Sequence, residues 1–277
     1  MLSEGETDAH LKGKRLLAGW ERELGHEAQI EAYLSDLKQR PDILVERAGR
    51  SSLALEYQCA PITCRRLAER SEGYRKAGLG FCWILGMNYR LNGTLPEATA
   101  KFMRFDASLG FYLIFLDSER ERIEIDYAIQ KADFLPVRYH RRYFGNLGEL
   151  RDFLLRGSHR WKLYQLNEEQ RREQIRKMES RLHFSRGRIR DIQVECYRSG
   201  YNAGEAISTA FQERYYYPIY REDRCYWNCR LRLNAGCPDP VRTALEVREK
   251  SCYDLPFVPL EDFVRADVTL ALENMEL

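Results

Sequence analysis

The chain has 277 residues, of which 44% are apolar and 31% charged, and its formal net charge is +2. That length can build one large domain or two smaller ones, and the near-neutral charge excludes a uniformly basic nucleic-acid binder, so any such affinity must come from local patches. No apolar run approaches the roughly eighteen residues of a membrane span, and the first residues lack a signal-peptide apolar region, so no membrane association is expected. Eight cysteines without a disulfide-scaffold spacing fit reduced thiols and a cytoplasmic location.

Residues 8 to 24 read as a helix, with Thr7 or Asp8 as cap, Leu11, Leu16, Leu17, Trp20 and Leu24 at helical spacing, and Gly25 as the stop. His10 and Lys14 lie four apart and so share a face, which could equally be a solvated one. Residues 28 to 34 read as a first strand carrying Glu31. Asp42 follows Pro41 at the start of the run Ile43-Leu44-Val45, and Leu53 to Gln58 form a second run across the turn-like Gly49-Arg50-Ser51-Ser52. The simplest reading is a β-hairpin. Strand alternation points Glu56 and Gln58 one way and Leu55 and Tyr57 the other, so the hairpin can bring Asp42 near Glu56. Two adjacent carboxylates repel unless a cation sits between them, and an all-oxygen donor set suits Mg²⁺, with Mn²⁺ as a substitute. Beyond Pro61, Thr63 is a plausible cap for a helix through Ala77 that ends at Gly78 and Gly80. Phe81 to Leu85 then read as a buried strand, which a right-handed crossover can pair parallel to the one before.

These pieces, in this order, resemble the PD-(D/E)xK nuclease fold. Pro41-Asp42 stands as the PD, and Glu56-Tyr57-Gln58 stands in place of (D/E)xK. The wider pattern is similar to the competence protein CoiA-like family of that superfamily, through Gln39-Arg40-Pro41-Asp42, then Glu56-Tyr57-Gln58-Cys59 with Pro61-Ile62, then Arg70 and Tyr74, then Trp83-Ile84-Leu85-Gly86. The resemblance is sharp over about residues 8 to 90. It implies an α/β fold: a mixed-sheet nuclease core in residues 1–135, followed by a mainly helical basic region in 136–277. It also implies Asp42, Glu56 and Glu31 as a metal-holding acidic set, with Glu27 as the alternative to Glu31 and Gln58 completing the catalytic group, and places His10 and Lys14 in a family motif. Gln58 departs from the lysine common among relatives, a departure shared with the CoiA-like family. An amide orients water but brings no positive charge, so Lys14, Arg40 or Arg70 would have to supply it. Arg70 and Tyr74 share a helix face that, in related nucleases, steadies the site or touches a phosphate; the alternative is a salt bridge to Glu69 or Glu72 and a packed tyrosine. Relatives often carry a cysteine-rich, zinc-like segment ahead of the core, and no such segment is expected here.

Further along, Phe111–Leu116 and Ile123–Tyr127 flank a charged turn and read as a second hairpin, the latter half-exposed by its alternation; Asp126 is expected to lack partners. Residues 136–144, PVRYHRRYF, mix Arg138, Arg141 and Arg142 with aromatics, which suits single-stranded DNA or merely a basic loop. Residues 146–156 and 168–198 read as helices, the latter with a break at Gly187. Between 155 and 200 there are twelve Lys or Arg against six Asp or Glu. Within that excess, Arg171, Arg172, Arg176, Arg181, Arg186, Arg188 and Arg190 form the strongest DNA-binding candidate outside the core. Cys225, Cys229, Cys237 and Cys252 follow C-x₃-C-x₇-C-x₁₄-C, which fits free thiols better than a paired zinc site. The expectation is a Mg²⁺-dependent deoxyribonuclease of the transformation type, acting on DNA with recombination proteins as partners. The alternative is a non-cleaving DNA-binding accessory built on the same fold.

Overall fold

A computed structural model describes residues 8–157, 161–211, 213–233 and 251–273. Thr7, Cys237 and the side chain of Arg188 lie outside the described residues. The chain divides into two compact units, 1–128 with 139–161 and 129–138 with 162–277.

The first unit is built on an eight-stranded mixed sheet in the order β1-β2-β3-β4-β6-β7-β8, with β5 paired to β6. Helix α1 (Asp8–Glu23) leads into β1 (Glu27–Ile30), β2 (Ile43–Glu46) and β3 (Leu53–Gln58). Both β1·β2 and β2·β3 are antiparallel, and β3 runs parallel to β4 (Gly80–Gly86) through α2 (Cys64–Lys76). This is the expected hairpin and crossover. The chain then runs through α3 (Glu97–Ala100), β5 (Arg104–Asp106), β6 (Gly110–Asp117), β7 (Arg122–Gln130), β8 (Arg138–Phe144) and α4 (Leu147–Leu155). Gly25 ends α1 with a positive φ of 80°, a backbone state that glycine enters without steric cost.

Alternation along β3 divides the sheet into two faces. Leu55 and Tyr57 join Leu17, Ala18 and Trp20 of α1 and Leu150 and Phe153 of α4 in one continuous core. Gly13 lets α1 settle on this face, because a Cβ there would lie 2.1 Å from the Tyr57 ring. Glu56 points the other way, toward α2, whose Leu67, Ser71 and Tyr74 are buried and whose Ser71 Oγ accepts from Trp83 Nε1 at 2.9 Å.

Four local expectations are corrected. The first strand stops at Ile30, and Glu31 leaves it in the left-handed region (φ 55°), because the chain turns back through the Leu34–Gln39 bridge. β7 is not half-exposed: Glu124 and Asp126 are fully buried. Asp126 has a partner after all, since Arg141 Nε and Nη2 donate to its two carboxylate oxygens at 2.7 and 2.8 Å. Alternation places charges on one face, but it does not reveal that a neighbouring strand supplies their counter-charges. Within the segment 136–144, Arg138–Phe144 form a strand rather than a loop, because β8 extends the sheet beside β7.

In the second unit, α5 (Glu168–Phe184) begins in a capping box between Asn167 and Gln170 and ends at Ser185. Gly187, with φ 63°, separates it from α6 (Arg188–Arg198), so the break falls where glycine suggested. The helices α7 (Ala203–Thr209), α8 (Arg224–Leu233) and α9 (Leu260–Glu273) follow. Met178, Ile189, Ile192, Cys196, Ile207 and Cys225 form the core of this unit. No helix among the described residues is long and apolar enough to cross a membrane.

Candidate functional site

The β2·β3 register pairs Ile43 with Leu55, and one step further it sets Asp42 opposite Glu56. Directly opposed residues in a ladder face the same side of a sheet. Both carboxylates accordingly line one cleft of about 520 Å³, together with His10, Arg40, Gln58, Thr63, Arg66 and Arg70. The N-terminus of α2, capped where Thr63 Oγ1 accepts from the Arg66 backbone N–H at 3.2 Å, opens on the same cleft.

Each acid has a distinct setting. Glu56 is 3% exposed. Its Oε1 accepts from both Arg70 Nη2 and the Tyr74 hydroxyl, and Arg70 Nη2 also donates to the Arg40 carbonyl at 3.0 Å. Burial pushes the Glu56 pKa up to about 7; Arg70 pulls it back and the charge of Asp42 adds to the rise. Burial, and then the neighbouring Glu56 charge, raise the Tyr74 phenol as well, so it serves as a hydrogen-bond donor. Asp42 Oδ2 accepts from the Tyr57 backbone N–H at 2.8 Å and lies 3.6 Å from His10 Nε2. His10 Nε2 donates to the Tyr57 carbonyl at 2.8 Å, and its ring stacks on that of Tyr57. Hydrogen bonding to Asp42 raises the His10 pKa above its ordinary value, against its partial burial.

Glu31 is placed differently. Its backbone N–H donates to the Asp42 carbonyl at 3.0 Å, but its carboxylate takes Lys14 Nζ at 2.5 Å, with Lys14 only 1% exposed. Lys14 is thus committed to Glu31, and Arg70 to Glu56. Gln58 turns its side-chain amide back onto the Ala60 carbonyl. Arg40 is exposed at the cleft with its guanidinium over the Tyr33 ring. Arg66 was not singled out in the sequence, whereas His10 and the Thr63 cap were read there and line the same cleft. Arg66 lies in the first turn of the helix that Thr63 caps, which was the available signal for it.

The donor set fits a hard divalent cation. Asp42 and Glu56 present carboxylate oxygens to one cleft, and Mg²⁺ is commonly held by one or two carboxylates while keeping several waters. Among the described residues no group of three or more His, Cys, Asp or Glu is placed to hold a metal, so Glu31 does not complete an acidic triad here. Nor are Cys225, Cys229 and Cys252, all buried, placed in such a group.

The arginines expected to meet nucleic acid elsewhere already have intramolecular partners. Arg138 lies over the Tyr164 ring at 3.9 Å, Arg141 pairs with Asp126, and Arg142 lies over Phe153 at 4.9 Å. On α5 and beside it, Arg171 pairs with Glu213, Arg172 with Glu168, and Arg176 with Glu173.

Residues 6–135 match the family model described as competence protein CoiA, nuclease-like domain. The chain is also 29% identical over 143 residues to the competence protein CoiA of Bacillus subtilis (strain 168). That alignment covers 52% of this chain but 36% of the relative, so the chain spans little more than a third of its length. No solved structure matches the chain. The hairpin that opposes Asp42 to Glu56 and the α2 crossover both fall inside the matched residues, so residues 6–135 carry a domain similar to the nuclease-like domain of competence protein CoiA.

Proposed function

We propose that the chain is a Mg²⁺-dependent deoxyribonuclease that processes DNA for recombination during natural transformation. The observation that supports this best is the pairing of Asp42 with Glu56 on one cleft wall, at the sheet edge where strand β3 gives way to helix α2. The two carboxylates would hold Mg²⁺, or Mn²⁺ in its place. Bound there, the ion supplies polarisation of the scissile phosphate and a lower pKa for an attacking water.

The chain's own side chains do the rest. Arg70 and Tyr74 orient the Glu56 carboxylate through its Oε1. The Tyr57 backbone N–H and His10 orient Asp42. Arg40, Arg66 and the start of α2 face the cleft, where they can take a phosphodiester. Because Gln58 brings no charge, positive charge at the cleft falls to His10, Arg40 and Arg66. Lys14 fixes Glu31 beside the Asp42 backbone.

One specific observation favours a second reading, a DNA-binding recombination accessory that cuts nothing. Glu56 Oε1 is already taken by two donors, and the Gln58 amide is turned onto Ala60. A cleavage assay separates the two. The unsubstituted chain should cut single-stranded, duplex or branched DNA with Mg²⁺ or Mn²⁺, and should stop with EDTA or with Asp42→Ala. Cleavage that survives both would overturn the mechanism. Binding without cleavage under every condition would favour the accessory.

A further inference from the structure

Between the end of β1 and the start of β2 the chain makes a short excursion, and Tyr33 stands on it 60% exposed. Arg40, which lines the cleft of Asp42 and Glu56, lies over the Tyr33 ring, its guanidinium 5.9 Å from the ring centroid. A guanidinium at that distance is drawn to the face of the ring and braces it, while the exposure leaves the ring largely open to solvent. Another exposed tyrosine of this unit, Tyr143, is accounted for within the fold. Arg122 lies over its ring at 4.4 Å, and its hydroxyl accepts from Arg90 at 3.0 Å.

The excursion is held in place at several points. At its base the Glu31 backbone N–H donates to the Asp42 carbonyl at 3.0 Å, and Leu34 and Gln39 exchange backbone hydrogen bonds at 2.9 and 3.3 Å. Lys14 takes the Glu31 carboxylate, and Arg70 Nη2 donates to the Arg40 carbonyl at 3.0 Å. The Gln39 side chain lies against Gly73 of α2, where a Cβ would run into its amide. A glycine weakens a helix interior, and here it seats the excursion. Tyr33 is therefore presented at a fixed place.

That place is close to the two acids. Glu31 is bonded to the Asp42 backbone and Tyr33 follows it by two residues, so at most about 7 Å of chain lies between them. A strand whose phosphate sits at Asp42 and Glu56 can bring a nearby base to the ring. Bases stack on exposed aromatic rings whatever their sequence. In a duplex the bases are already paired and stacked on one another, and one would first have to be flipped out.

We infer that Tyr33, braced by Arg40, is a base-stacking platform that directs the Asp42–Glu56 cleft to single-stranded rather than duplex DNA. This rests on the reading of the cleft as a DNA-processing site, and deepens it by naming the strand state that the site takes.

The test uses the full chain in EDTA, with fluorescence anisotropy on a labelled single strand, its duplex, and a strand of abasic sugars without bases. The unsubstituted chain should bind the single strand most tightly. Tyr33→Ala alters an exposed side chain, so it should fold. It should weaken single-strand binding about tenfold, the worth of one stacked base, and leave duplex and abasic binding unchanged. Its slope of log affinity against log salt should not move, because no phosphate contact is lost. Tyr33→Phe keeps the ring and should keep the affinity. Equal losses on all three ligands would make Tyr33 a support for the excursion and overturn the platform, as would tighter duplex than single-strand binding by the unsubstituted chain. Single-strand affinity unchanged in Tyr33→Ala would overturn the platform and leave the proposed function standing. No DNA binding by the unsubstituted chain would overturn both.

Discussion

The core of the first unit and the surface of helix α5 in the second treat charge in opposite ways. In the first, Glu56, Lys14, Glu124 and Asp126 are buried, and each is matched by an opposite charge brought from elsewhere in the chain. In the second, Arg172 and Arg176 of α5 are exposed and paired one helical turn away, with Glu168 and Glu173. A buried charge is expensive to leave unmatched, so its partner carries structural information; an exposed i,i+4 pair is worth little and reports only helix periodicity. The comparison teaches that counting arginines locates a helix, whereas following the counter-charges locates a site.

The largest effect expected from breaking this contrast is at Arg70. Arg70→Ala leaves Glu56 buried without its cation and should cost about 3 kcal/mol in chemical denaturation at pH 8. The loss should shrink at pH 5, where the neutral carboxyl needs no counter-charge.

The unsubstituted protein should show the same linkage by itself. Glu56 ionises near 4.5 when unfolded and near 7 when folded, so the folded state holds its proton more tightly. This group favours folding most below pH 4.5, and its contribution is lost as pH rises toward 7. At about 1.4 kcal/mol per pH unit, the decline is roughly 3 kcal/mol. Glu56→Gln should remove that decline from the pH profile of unfolding, and Mg²⁺ added above pH 7 should offset it in the unsubstituted chain.

A smaller loss is expected where packing rather than charge holds the site. Gly13→Ala drives a Cβ into the Tyr57 ring and should cost about 1 to 3 kcal/mol, with the stacking of His10 on Tyr57 disturbed. The smallest effect sharpens the other side of the comparison. Arg172→Ala with Arg176→Ala should leave the thermal unfolding midpoint unchanged within error, because both partners are exposed helix neighbours.

Much of the first unit was legible because its signals are local. The Asp42 to Glu56 hairpin, the Thr63 cap and the β3-α2-β4 crossover follow from strand alternation, turn residues and capping chemistry. Partnerships made across the fold were not legible in this way. Nothing near Glu31 in sequence says that the chain leaves its strand there in a left-handed turn, or that Lys14 claims its carboxylate. The role of Gly13 was equally hidden, because a glycine inside a helix shows its reason only when Tyr57 is packed against it. Asp126 read as solitary for the same cause, since its partner Arg141 arrives on another strand.

The central claim is that Asp42 and Glu56 form one cation site, and Mg²⁺ titration of the full chain by calorimetry at pH 8 tests it most directly. One saturable site is expected on the unsubstituted protein, lost in Asp42→Asn and lost independently in Glu56→Gln, with both variants folded by circular dichroism. Mg²⁺ binding of undiminished affinity in both variants would contradict it.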